Sequence, residues 1–303
     1  MRWEYIKTQA DGNYTDRSVD FGGNLIESEL VNENIVKERN FALVGLGLSY
    51  KSSSLFEIFA NASQNYRSVT FSDIRISNPN LLIDENITDE TGFTADLGFK
   101  GSLSNQLRYE LTGFSLIYGN RIGLIDLNES QKLRTNVGKA HIYGLESLVT
   151  ANFTNWLFPK HNKWHWQHFL NTSYTFSEYL ESDNATNIVG NEVEFIPKMN
   201  LKTGLELGYK NLKSSLQYTY VSTQFTDAEN TVIDQVTSTT GEIPAYSVMD
   251  LSLEYTYKKW KLETGVNNLL DESYFTRRAT GYPGPGIIPS NPRNYYLVLQ
   301  YKI

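Results

Sequence analysis

The chain of 303 residues has no cysteine. That excludes a disulfide framework, thiolate metal sites and thiol nucleophiles. No apolar run reaches the roughly 18 residues a membrane-spanning helix requires, so no α-helix of this sequence can cross a bilayer. A formal net charge of −7 gives no support for nucleic-acid binding. The first residues lack a basic segment, an apolar stretch and a small-residue cleavage site. Met1-Arg2-Trp3-Glu4-Tyr5-Ile6 already alternates like a strand. Such a start is expected of the C-terminal portion of a longer protein, with signal peptide absent.

Aromatic residues are plentiful, with 20 Tyr, 15 Phe and 5 Trp. Apolar residues recur with period two, which a strand converts into one oily face and one wet face. In the closing segment Tyr295, Leu297, Leu299, Tyr301 and Ile303 share a face, while Asn294, Gln300 and Lys302 share the other with Tyr296 and Val298. Period two predicts twelve strands, near 2–8, 41–50, 54–64, 91–100, 106–119, 139–153, 165–177, 198–209, 212–223, 245–257, 259–268 and 292–303. Most have the ~9–11 residues a tilted transmembrane strand needs.

The connections alternate. Lys51–Ser53, Gly101–Asn105, Lys210–Asn211 and Lys258 are short, and Thr154–Trp164 is intermediate; Asn65–Glu90, Asn120–Gly138, Glu178–Pro197, Gln224–Pro244 and Leu269–Asn291 are long. Outer-membrane barrels have short periplasmic turns and long extracellular loops. Polar partners such as Asn200, Lys202 and Glu206 oppose Leu201, Leu205 and Leu207, which suits a hydrated lumen and a lipid-facing wall. The expected fold is therefore an all-β, antiparallel transmembrane barrel. Strand 106–119 changes phase, since Leu107, Tyr109 and Leu111 alternate with Phe114, Leu116 and Tyr118; a bulge near residue 113 is expected.

Gly265-Val266-Asn267-Asn268-Leu269-Leu270-Asp271-Glu272-Ser273-Tyr274 resembles the signature before the last extracellular loop of TonB-dependent outer-membrane receptors. Asn268, Leu269, Asp271 and Tyr274 carry the match. The closing strand resembles that family's assembly signal, with Ile303 where an aromatic residue is common. The order Tyr5–Thr8, Phe41–Lys51, Leu55–Arg67 resembles its mid-barrel. The resemblance implies that residues 1–303 are the C-terminal part of a barrel of about 22 strands, with the plug domain absent. It implies a transporter and not an enzyme, with no resident cofactor and iron only as a transported ferric chelate. Its implied partners are a ferric siderophore, the TonB–ExbB–ExbD complex acting through the missing N-terminal part, outer-membrane lipid and the barrel-assembly machinery. Residues 279–293 are similar to the last loop of ferric citrate-type receptors. Alternatives are a glycan or cobalamin importer, a passive porin and a barrel hydrolase.

An anionic chelate needs cationic donors, and guanidinium forks bind carboxylates at two points. Arg277, Arg278 and Arg293 bracket the last loop, with Tyr282 inside it; Arg121, Arg134 and Arg75 fall in other long connections. The alternative for each is solvation or pairing with lipopolysaccharide phosphate. His165 and His168 should face opposite sides of a strand, so they and His161 are expected to form no metal site. Asp84, Glu85, Asp89 and Glu90 read as a solvated acidic loop. Gly281–Gly286 is interrupted by prolines and precedes no helix, which rejects a phosphate loop.

Overall fold

The computed structural model describes residues 1–19, 25–74, 81–103, 106–127, 131–157, 163–183, 187–233, 238–279 and 286–303. Its strands are β1 (Arg2–Val19), β2 (Leu25–Leu43), β3 (Gly45–Ser53), β4 (Phe56–Arg67), β5 (Leu81–Ile83), β6 (Glu90–Leu103), β7 (Leu107–Asp126), β8 (Lys132–Asn152), β9 (Trp164–Ser182), β10 (Met199–Tyr209), β11 (Leu212–Val221), β12 (Gln224–Phe225), β13 (Glu242–Ile243), β14 (Tyr246–Tyr257), β15 (Trp260–Asn267), β16 (Phe275–Ala279), β17 (Gly286–Pro289) and β18 (Asn294–Tyr301). Two one-turn helices, α1 (Phe71–Ile74) and α2 (Thr154–Leu157), sit in connections.

The main sheet runs β18-β15-β14-β11-β10-β9-β8-β7-β6-β4-β3, each wall strand beside its neighbour in sequence; short β5 joins β8 in parallel. β1 and β2 form a long hairpin ladder from Arg2↔Leu43 to Val19↔Leu25. β2 passes into β3 through Val44, whose carbonyl accepts the Gln64 amide at 2.9 Å. One half of that long strand thus pairs back to β1 and the other forward to β4. Counting β2 and β3 as one crossing, the wall contains the twelve segments that period two picks out. The sheet is antiparallel and open, with β18 at one edge and the β1–β3 side at the other.

Apolar rows face outward and, among the described residues, lack protein cover. Leu46 is 67% exposed, Leu145 57% and Leu297 71%. Rows of this kind across a whole sheet mark a surface built for an apolar medium. The opposite face carries cross-strand polar neighbours: Asn171 opposes Lys202, Ser173 opposes Asn200, and Gln217 opposes Asp250. Inner glycines make room for rings. Gly204 lies opposite Phe169, and a Cβ added there would come within 2.2 Å of the ring; Gly98 lies in the same way under Phe59.

Near the long-loop end the inner face changes character. Phe114, Leu116 and Tyr118 pack against Ala140, Ile142, Ile188, Val193 and Ala228. A second cluster joins Val69, Ile74, Ile87 and Ile122. The phase change in β7 is therefore not a bulge at residue 113, for β6 and β7 stay in register from Thr91↔Gly119 to Leu103↔Leu107. It marks where folded loops cover the inner face and apolar side chains there find partners. The register breaks higher, between Tyr118 and Ile122, where Asn120 has φ 52°. Above it β7 and β8 continue as a hairpin to Asp126↔Lys132. The expected loop 120–138 is thus largely strand.

Candidate functional site

The upper ends of β4, β6, β7 and β8 place three guanidinium groups around one cavity. β4 ends in Arg67, whose Nη2 donates to both Asp73 oxygens at 2.9 and 3.0 Å and whose Nη1 donates to Glu90 at 3.2 Å. Asp73, the third residue of α1, reaches back to the residue flanking the helix, accepting the Thr70 amide at 2.9 Å and hydroxyl at 2.7 Å in the manner of a capping box. Arg134 of β8 reaches the same carboxylate at 3.0 Å. Glu90, the first residue of β6, is buried and accepts from Arg121 at 3.1 Å and from the Ile122 amide at 2.9 Å. Glu194 comes in from the connection after β9 and accepts the Tyr179 hydroxyl. These groups line a cavity of about 170 Å³ together with Gly123, Leu124, Phe195 and Thr226.

The charges there do not cancel. Burial works to raise Asp73, but Thr70 and Arg67 overcome it and hold the carboxyl below its ordinary range. Glu194 goes the other way: burial pushes it up, against the pull of Arg121 and the Tyr179 hydroxyl. Three guanidinium groups thus surround the carboxyls of Asp73, Glu90 and Glu194, the last of which burial makes harder to ionise. Guanidinium edges of Arg67 and Arg134 keep solvent contact, so the cavity presents positive charge to an anionic visitor.

The loops around this cavity are tied to one another. Asp84 accepts the Thr135 hydroxyl at 2.6 Å and its amide donates to the Arg134 carbonyl at 3.0 Å. Asp89 pairs with Arg39 at 2.7 Å and accepts the Val69 amide at 2.7 Å. The acidic run is therefore not a solvated loop: Asp84, Asp89 and Glu90 are built into the structure, and Glu85 alone of the four is exposed. Asn230 bonds Glu192 through its side chain in both directions, at 2.7 and 2.8 Å. The Thr226 hydroxyl and Gly241 exchange hydrogen bonds at 2.9 and 2.8 Å.

The residues singled out in sequence separate into two groups. Arg121 and Arg134 line the cavity, but from strands β7 and β8 and not from loops. Arg277 is exposed on β16. Arg278 is already engaged, donating to the Ser238 carbonyl at 3.1 Å and the Glu242 carbonyl at 2.9 Å, so it straps the last loop to its neighbour. Arg293 lies 3.8 Å from Asp271, which also accepts its amide. Tyr282 and most of the glycine–proline loop lie outside the described residues, as do Arg75 and His161. Tyr274 stacks on Tyr246 with centroids 4.8 Å apart. Asn268 and Asp271 form a turn: both have positive φ, and the buried Asn268 amide side chain bonds Glu272 N and O at 2.9 Å each. Asn tolerates that backbone and satisfies the turn at once. His165 and His168 do face opposite sides, meeting Glu206 at 3.1 Å and Thr203 at 2.9 Å.

Sequence reasoning missed Arg67, Asp73 and Glu194. Only Arg67 carried a signal, as the last residue of the Gln64–Arg67 stretch that closes an alternating run.

A family model described as TonB dependent receptor-like, β-barrel, matches residues 1–269. Among solved structures, the ferric citrate transporter FecA matches with a TM-score of 0.70 and 23% identity, over 90% of this chain and 40% of that one. The ferric yersiniabactin uptake receptor FyuA from Yersinia pestis matches with 0.66 and 16%, over 99% and 42%. The ferric-catecholate import receptor Fiu from E. coli matches with 0.69 and 14%, over 99% and 41%. The chain thus spans about two fifths of the length of these structures, and at such identities the likeness concerns the fold.

Proposed function

Because the chain belongs to the TonB-dependent receptor β-barrel family, whose members are transporters and not enzymes, we propose that it forms the C-terminal wall of an outer-membrane receptor for an anionic ferric chelate. Ferric citrate is the first candidate, and ferric siderophores bearing carboxylates the wider class. The observation that carries this reading is the cavity lined by Arg67, Arg121 and Arg134 beneath interlocked loops. Its fork-shaped donors match carboxylate oxygens. The lumen below is polar and offers a hydrated path.

In this reading the protein lies in the outer membrane of a Gram-negative bacterium. Its C-terminal strand, Tyr295 to Ile303, serves the barrel-assembly machinery. Energy for release comes from TonB–ExbB–ExbD through segments other than this chain, which holds the ligand-facing wall. A passive porin would need no tied-down vestibule.

The test is equilibrium binding to the full-length receptor in detergent. Replacing Arg67 or Arg134 by Gln should weaken ferric citrate binding by about tenfold or more, the effect of one charge-assisted hydrogen bond. An uncharged ferric chelate should bind either variant and the parent alike. Equal loss for both chelates, or loss for neither, would count against the reading.

A further inference from the structure

The short-turn end of the wall carries a row of exposed lysines: Lys163, Lys210, Lys258, Lys259 and Lys302. The turns that bear them are zipped together. The Lys210 amide donates to the Lys163 carbonyl at 2.8 Å, Thr256 to Asn211 at 3.0 Å, and Lys302 to Lys259 at 2.8 Å. Residues 207–213, 255–262 and 299–302 contain no Asp or Glu. None of the five lysines pairs with a carboxylate among the described residues.

Their direction is informative. Lys210 Nζ lies 5.3 Å from the Tyr209 ring centroid, Lys258 Nζ 5.4 Å from Tyr257, and Lys259 Nζ 5.9 Å from Tyr301. Those rings belong to the outward row, and two meet further outward indoles: Trp164 at 4.6 Å from Tyr209, Trp260 at 4.7 Å from Tyr301. Tyr and Trp collect at the membrane–water boundary, and lysine stems lie along apolar surface with the ammonium beyond it. Lys210, Lys258 and Lys259 therefore overhang the outer surface of the wall, with Lys163 and Lys302 beside them in the same turns.

A second observation is independent of charge. Lys210 and Lys258 have φ of 53° and 54°. Asn or Gly adopts that backbone more readily than lysine does. Two tight turns thus carry lysine where local stability favours another residue.

We propose that this row is a docking belt for the headgroups of anionic glycerophospholipids, of the phosphatidylglycerol type, in the leaflet at the short-turn end. The inference rests on the membrane-embedded reading of the wall. Each lysine near an anionic surface contributes attraction that salt weakens. An acidic protein partner fits less well, because the Lys210, Lys258 and Lys259 ammonium groups ride on lipid-facing rings.

The test uses the full-length receptor in detergent, offered equal amounts of phosphatidylglycerol and phosphatidylcholine, with bound lipid weighed by native mass spectrometry. The parent should retain phosphatidylglycerol over phosphatidylcholine by about fivefold or more, and lose the preference at high ionic strength. The variant K210N/K258N/K259N should fall to near parity with an unchanged or higher melting temperature, since Asn suits the two strained turns. The corresponding Lys→Arg triple variant should keep the preference. If the Asn triple does not fold, K259N alone, at an unstrained position, should show a partial fall. Equal preference in parent and Asn variants, or none in the parent, overturns the proposal. Protein that fails to insert into lipid at all would instead sink the membrane reading beneath it.

Discussion

The lower and upper halves of the wall are built from the same strands but obey opposite rules. Below, side chains alternate between an apolar outer face and a polar lumen face, and neighbours are joined by backbone pairing and by cross-strand contacts at the surface such as Asn61 with Asp96 at 2.8 Å. Around Leu145, Leu97 and Leu297 nothing among the described residues covers the apolar row. Above, the inner face carries Phe114, Leu116 and Ile142 under the folded connections, and charged groups such as Glu90 and Asp73 are buried. A medium supplied from outside stabilises the first region. The second resembles the interior of a soluble domain, where buried charges require partners and apolar groups require neighbours.

The sharpest way to break that contrast is a charge at mid-height. Leu145→Arg on the outer face should cost about 2–4 kcal/mol of folding free energy in lipid, whereas Asn171→Arg on the lumen face should cost almost nothing. Denaturant titration of vesicle-embedded protein would compare them, and equal losses would dissolve the distinction between the faces.

Next in size is Glu90→Ala. Removing the carboxylate leaves Arg121 and the Ile122 amide without their acceptor, a loss of about 2–3 kcal/mol for a buried pair whose second arginine keeps water contact. The damage should appear as lost amide protection in residues 68–74, 81–90, 121–127 and 131–136, with the lower wall unchanged. Loss spread evenly over both halves would show that they are not separate.

Asn268→Ala should cost about 2 kcal/mol, from two hydrogen bonds and an unfavourable positive φ. The effect should stay local to the turn after β15, read as faster exchange at residues 268–272. Leu270→Ala, exposed in the same turn, serves as the silent control.

The smallest effects follow pH, and their signs differ within the vestibule. Asp73 has a lowered pKa, so its contribution is present above the ordinary carboxylate range and is lost as pH falls through its folded value. Glu194 has a raised pKa, so its packing is favoured at low pH and weakens as pH rises from the ordinary value through the folded one. Residues 187–197 should therefore lose intrinsic-corrected amide protection as pH rises above the ordinary carboxylate range, and Glu194→Gln should abolish that trend. Residues 69–74 should lose theirs only below about pH 4.

Much of the lower wall is legible in sequence, because a strand's period of two is intrinsic to the backbone. Leu201, Leu205 and Leu207 declare their face without knowledge of any neighbour. The alternation of tight turns with long connections orders the strands, and the Asn268–Asp271 turn is written in residues that tolerate positive φ. The vestibule is another matter. Arg278 reads as a free cation and proves to be a strap. Glu90 reads as one acid of a solvated run and proves to hold two arginines. Phe114 reads as the site of a bulge and proves to lie under a folded loop. Those outcomes depend on contacts between residues up to about a hundred positions apart, such as the Asp126 amide with Glu229 at 3.1 Å. Local periodicity fixes which way a side chain points; only the tertiary structure decides what it meets there, because buried charge and apolar surface take their energies from neighbours the chain supplies elsewhere.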